Sequence, residues 1–195
     1  MEIQEKDVMA AYKEADENGK AVFKKLFPTV SFDEQKSDSR PVTERIKSFD
    51  DAINALGEDN QFVIMFRNID NNYAYTPKTA SMIAYAKLQV ICAALNEGWE
   101  PQFTEDEYRW YPWFWLYTQD EIDSWSEERK NERVILSTGD YVTDFAGFVF
   151  ASSHRAPSRT YSDFGSRLCF KSSELATYCG KQFINLWADF HLIHK

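Results

Sequence analysis

Residues 108–117 read Tyr-Arg-Trp-Tyr-Pro-Trp-Phe-Trp-Leu-Tyr, seven aromatics in ten positions. No other stretch constrains the fold as tightly. Bulky rings at nearly every position favour an extended strand, in which successive side chains point to opposite faces. Pro112 lacks an N–H, so this strand lies at a sheet edge or carries a bulge there. One buried face needs fewer rings than are present, so the other face is expected to meet a partner. A second copy of the chain is the preferred partner and a host protein the other, because Trp and Tyr are enriched at interfaces. Stacking on nucleobases is the competing use of such rings. The balance of 31 acids against 22 bases, net charge −9, disfavours it, together with non-specific nucleic-acid binding in general.

The remaining sequence supplies the layers such a strand needs. With 195 residues, 44% of them hydrophobic, the chain can bury a core without disulfides or metal. Aromatics at 16% exclude disorder over the whole length. Residues 4–27 carry a helical stripe of Val8, Tyr12, Ala15, Val22, Phe23 and Leu26, broken near Asn18-Gly19 and stopped by Pro28. Residues 31–47 are polar and read as a linker. Ser48 with Asp51 opens a short helix over Phe49 to Leu56, which Gly57 closes. The run Phe62 to Phe66 fits a strand or a buried helix equally. Thr76-Pro77 and Gly98 bracket a long helix over 77–97 that is expected to pack on a sheet.

Beyond the aromatic strand, residues 118–133 are highly charged and read as a helical or hairpin excursion. Val134 to Ser137, Tyr141 to Phe145, Gly147 to Ser152 and Arg167 to Lys171 are candidate strands. A closing helix over 173–193 is capped by Ser172 or Ser173. These elements predict an α+β fold, an antiparallel sheet of three to five strands packed by two long helices. Residues 1–57 would form a helical N-terminal portion and 58–195 the α+β core, one domain overall.

Several stretches are more distinctive than their composition. They are LFP at 26–28, FDDAINALG at 49–57, ALNEGWEPQF at 94–103, YPWF at 111–114 and GSRLCFKSSELATYCGKQF at 165–183. Together they resemble an uncharacterised family of short proteins encoded by bacteriophages and prophages of gut anaerobes. Residues 118–160 fall outside the resemblance. It implies a phage accessory protein acting in the host cytoplasm or carried on a virion, and it brings no activity, cofactor or catalytic residue.

The chemistry-bearing residues narrow the function further. The charged segment Met1 to Ala10 has no signal-peptide run, and no stretch of 18 apolar residues suggests a membrane helix. Cys92, Cys169 and Cys179 sit in apolar contexts without a CxxC pair, which suits buried free thiols in a reducing cytoplasm. His191 and His194 share a helix face but sit at the C-terminus, so fraying is expected rather than metal binding. HExxH, GxSxG, Walker A and GxGxxG patterns are absent. The acids at 105–107, 120–123 and 127–128 read as solvated faces. No catalytic residue, metal or cofactor is therefore assigned, and an enzyme is the less favoured reading.

The segment SSHRAPSRTYSDFGSR at 152–167 stands out in this acidic chain. Arginine forks, hydroxyls and loop N–H groups together suit phosphate or another small anion. The candidate ligand residues are Arg155, Arg159, Arg167, Tyr161 and Ser158, with Trp113 on the neighbouring strand. The expected function is non-catalytic binding of a small anionic, nucleotide-like ligand. The rivals are an acidic nucleic-acid mimic that blocks a host protein, and a virion or assembly component.

Overall fold

The computed structural model describes residues 8, 11, 12, 14–28, 30, 39–102, 104, 106–157 and 166–195. Its contacts fall into two units, Met1–Ser39 and Arg40–Lys195.

In the first unit, α1 spans Glu17–Leu26. The expected break near Asn18-Gly19 falls slightly earlier. Asp16 caps the helix by accepting the Gly19 N–H at 2.7 Å, a role short acidic side chains fill better than a helix interior. Val8 and Tyr12 are buried against Phe23, Phe27 and Val30.

The second unit opens with α2 (Val42–Arg45), inside the stretch expected to be linker, then α3 (Phe49–Leu56) and α4 (Gln61–Asn72). The capping box of α3 is formed as expected: Ser48 Oγ accepts the Asp51 N–H, and Asp51 Oδ2 accepts the Ser48 N–H at 2.8 Å. Gly57, at φ 85°, then turns the chain out of the helix. The ambiguous run 62–66 is helical. Val63 and Phe66 are buried while Ile64 and Met65 are exposed, so a three-residue step rather than a two-residue one selects the inner face.

Helix α5 (Ala80–Asn96) starts later than Pro77. The Thr79 hydroxyl accepts the Thr76 N–H and donates to the Ala74 carbonyl, which makes 76–79 a turn. Twelve of its 17 residues are buried, because α3, α4 and α9 (Ile184–His191) surround it. Helix α8 (Ser173–Gln182) is the one that lies against the sheet. The expected single helix over 173–193 is divided at Phe183, whose φ of −114° and ψ of 32° leave helical geometry. Gly180 permits the close approach of α8: a Cβ there would stand 2.6 Å from the Phe150 ring and 2.7 Å from Pro112.

Among the described residues the sheet has three antiparallel strands, β1 (Tyr108–Tyr117), β2 (Ile135–Ser137) and β3 (Gly147–Pro157), in the order β1-β3-β2. The fold is α+β, as expected. The aromatic strand is an edge strand, and its register slips between Trp113 and Phe114, next to Pro112. Both consequences of the proline are therefore present. Trp110, Phe114 and Leu116 pack on the main core, while Trp113 and Trp115, on the other face, are exposed. Segment 118–133 forms two short helices, α6 (Gln119–Asp123) and α7 (Glu127–Glu132).

Two expected strands are not formed. Tyr141 makes only a single bridge, to His194, because the C-terminal tail supplies just one pairing position there. In 167–171 the chain makes a 3-10 turn, Ser166–Leu168, and a single bridge between Phe170 and Trp110. Among the described residues no helix is long and apolar enough to cross a membrane.

Candidate functional site

Helix α5 carries Gln89 and Asn96 two turns apart on one face, and both are 5% exposed. Asn96 is fully engaged. Its Nδ2 donates to the Cys169 carbonyl at 2.8 Å and its Oδ1 accepts the Lys171 N–H at 3.1 Å. Those two bonds fix the segment that follows the Ser166–Leu168 turn, and so place Arg167. Gln89 differs: its Oε1 is buried without a hydrogen-bond partner among the described residues. Leaving such an acceptor unmet costs about 1–3 kcal/mol, so it calls for an explanation.

Gln89, Cys92 and Asn96 line a pocket of about 310 Å³ together with Leu56, Phe62, Trp99 and Arg167. This volume is at the lower end of small-molecule sites. The apolar wall combines helix α4 with the loop after α5, which Glu97 (φ 50°) and Gly98 (φ 83°) turn sharply. Arg167 is exposed and lies over the Phe62 ring at 5.5 Å. Among the described residues it has no carboxylate partner. The arrangement thus offers a cation at the rim, an indole on the wall, the Glu100 carboxylate and a carboxamide whose oxygen has no partner among the described residues. That set can hold a flat polar ring bearing an anionic group.

The other sequence-derived candidates lie elsewhere or beyond reach. Arg155, on β3, stacks on the Tyr108 ring at 4.4 Å, whereas Arg167 lies over Phe62, and Arg155 does not line the pocket. Trp113 is 45% exposed and approaches the His154 ring at 6.0 Å. It borders a separate apolar cleft with Trp115, Phe148 and His191. Ser158, Arg159 and Tyr161 lie outside the described residues.

The two C-terminal histidines are not frayed. The His191 ring stacks on Trp187 and stands beside Phe114, Phe148 and Phe190. Burial of the ring among them pushes its pKa down to about 4, so it is neutral at physiological pH. His194 packs against Tyr141 and meets Asp189 at 2.8 Å. Tyr75 and Tyr141 also bond to Asp189. Burial, then Asp189, pushes Tyr75 up to about 12 and raises Tyr141 as well, so both phenols keep their protons at neutral pH. Sequence reasoning missed this group because its members come from four separate segments.

Nucleophilic or acid-base roles gain little. Cys169 is pushed up to about 12 by burial, and Cys92 is raised for the same reason. Glu121, in the acidic excursion, is held low by the Thr118 N–H and hydroxyl that it caps. Among the described residues no three His, Cys, Asp or Glu side chains gather. No family model matches the chain, and neither a curated protein nor a solved structure matches it.

Proposed function

We propose that the chain is a non-catalytic binding protein that sequesters a small anionic, nucleotide-like ligand in the pocket between Gln89 and Arg167. The observation that carries this reading is a pocket lined by Gln89, whose buried oxygen has no partner among the described residues, and rimmed by Arg167, which has no carboxylate partner among them. A ligand with a ring N–H or amino group would satisfy Gln89. Its phosphate would reach the Arg167 guanidinium, and its ring would lie against Trp99. A glutamine side chain can pair in this way with a nucleobase edge. The phage or prophage setting suggested by the sequence resemblance gives such a protein a use, the removal of a host signalling nucleotide.

Isothermal titration of the full chain against mono-, di- and cyclic nucleotides tests the proposal. The expected result is saturable heat at micromolar protein with at least one of them, and a loss of roughly tenfold or more in affinity in Arg167→Met, where a charged hydrogen bond disappears. No heat across the panel would overturn the reading. Heat unchanged in Arg167→Met would do the same, because the ligand would then sit elsewhere.

A further inference from the structure

Four side chains from three distant stretches of sequence converge near the C-terminus. Tyr141 donates its hydroxyl to Asp189 Oδ1 at 2.6 Å, and His194 Nε2 stands 2.8 Å from the same oxygen. Tyr75 donates to Asp189 Oδ2 at 3.0 Å and lies 3.2 Å from His194 Nε2. Tyr75 comes from the α4–α5 connection, Tyr141 from the β2–β3 connection, Asp189 from α9, and His194 from the tail. The tail is fastened on both sides of His194: the Val142 N–H donates to the Ile193 carbonyl at 2.7 Å, and the Lys195 N–H to the Asp140 carbonyl at 3.0 Å. The side chains of Asp189 and His194 are 14% and 17% exposed, whereas Tyr75 is 56% exposed and leaves one side open to solvent.

A latch for the tail would need only the Asp189–His194 pair. The two phenols make the set a donor array of a particular kind. An octahedral cation with bonds of about 2.0–2.1 Å holds neighbouring donors about 2.9 Å apart. The four observed separations, 2.6 to 3.2 Å, are ordinary hydrogen-bond lengths that also admit such a cation, so the chemistry of the donors decides which one fits. Two phenolates and one carboxylate carry three negative charges, and a neutral imidazole adds none. Hard oxygen donors in that number match a hard trivalent cation.

We infer that Tyr75, Tyr141, Asp189 and His194 form a binding site for ferric ion. On binding, the ion takes the place of the two phenolic protons, which leave to solvent, and no group changes oxidation state. The remaining coordination positions face the open side at Tyr75, where water or a small anion completes the sphere.

Titration of the full-length protein with ferric nitrilotriacetate tests the site, because ferric phenolates absorb visible light by charge transfer. The expected result is a coloured complex that saturates at a single iron per chain. Tyr75→Phe, at an exposed position, should leave the thermal unfolding transition in place, diminish the band and weaken binding roughly tenfold or more. Tyr75→Phe combined with Tyr141→Phe should abolish the band. A colourless titration overturns the inference, and so does a band that persists unchanged in the double variant.

Discussion

Gln89 and Asp189 are both polar side chains set among apolar neighbours in the same unit, and the fold treats them in opposite ways. Asp189 receives the Tyr75 and Tyr141 hydroxyls and His194 Nε2, so its carboxylate has partners on both oxygens. Gln89 is buried with its Oε1 unmet. The first group is complete within the chain and ties three connecting segments to α9. The second is left with an unmet acceptor at the wall of a pocket. A buried polar group without a partner and beside a cavity is therefore the better marker of a small-molecule site. A saturated cluster marks a place where the fold is fastened, whatever else it binds.

The largest expected effect tests the fastening. Asp189→Ala leaves the buried Tyr141 hydroxyl without its acceptor and releases the tail. The loss of an acceptor shared by several donors is expected to cost about 3 kcal/mol, read from chemical denaturation. A change below about 1 kcal/mol would show that the tail is held by its backbone bonds alone, and the contrast with Gln89 would weaken.

A smaller effect of opposite sign is expected at the other centre. Gln89→Leu replaces the unmet carboxamide by an apolar group of similar size. It should stabilise the free protein by about 1 kcal/mol, because the desolvated acceptor disappears, while removing nucleotide binding. A destabilised variant would mean that Gln89 is already satisfied in solution, and the pocket would lose its main distinguishing feature.

The difference between the two centres also explains what the sequence could reveal. Local rules were legible. The Ser48–Asp51 box, the Gly57 stop and the edge position of the strand containing Pro112 each follow from one residue's backbone chemistry, and all are formed. Arg167 was legible as a charge in an otherwise acidic chain, and it does border the pocket. Gln89 was not, because nothing in the run of α5 distinguishes a glutamine that faces a neighbour from one that faces a cavity. The Asp189 cluster was hidden for a related reason. Tyr75 and His194 are 119 positions apart, and their meeting depends on a tail pairing that periodicity cannot express. The expected strand over 141–145 failed on the same point, since its one pairing partner lies in that tail.

The smallest expected effect concerns the depth of the pocket. Cys92 lines it yet is only 1% exposed, and burial, with the Cys179 sulfur beside it, raises its thiol well above the ordinary range. Cys179 is equally buried but does not border the pocket. Both thiols should therefore resist iodoacetamide at neutral pH, and each reacts only as fast as the surrounding structure opens. A bound nucleotide adds direct cover to Cys92 alone. Peptide mass spectrometry of the alkylated chain should show ligand protection several-fold greater at Cys92 than at Cys179. Equal protection at the two positions would mean that the ligand merely stabilises the whole unit, from a site that Gln89 does not reach.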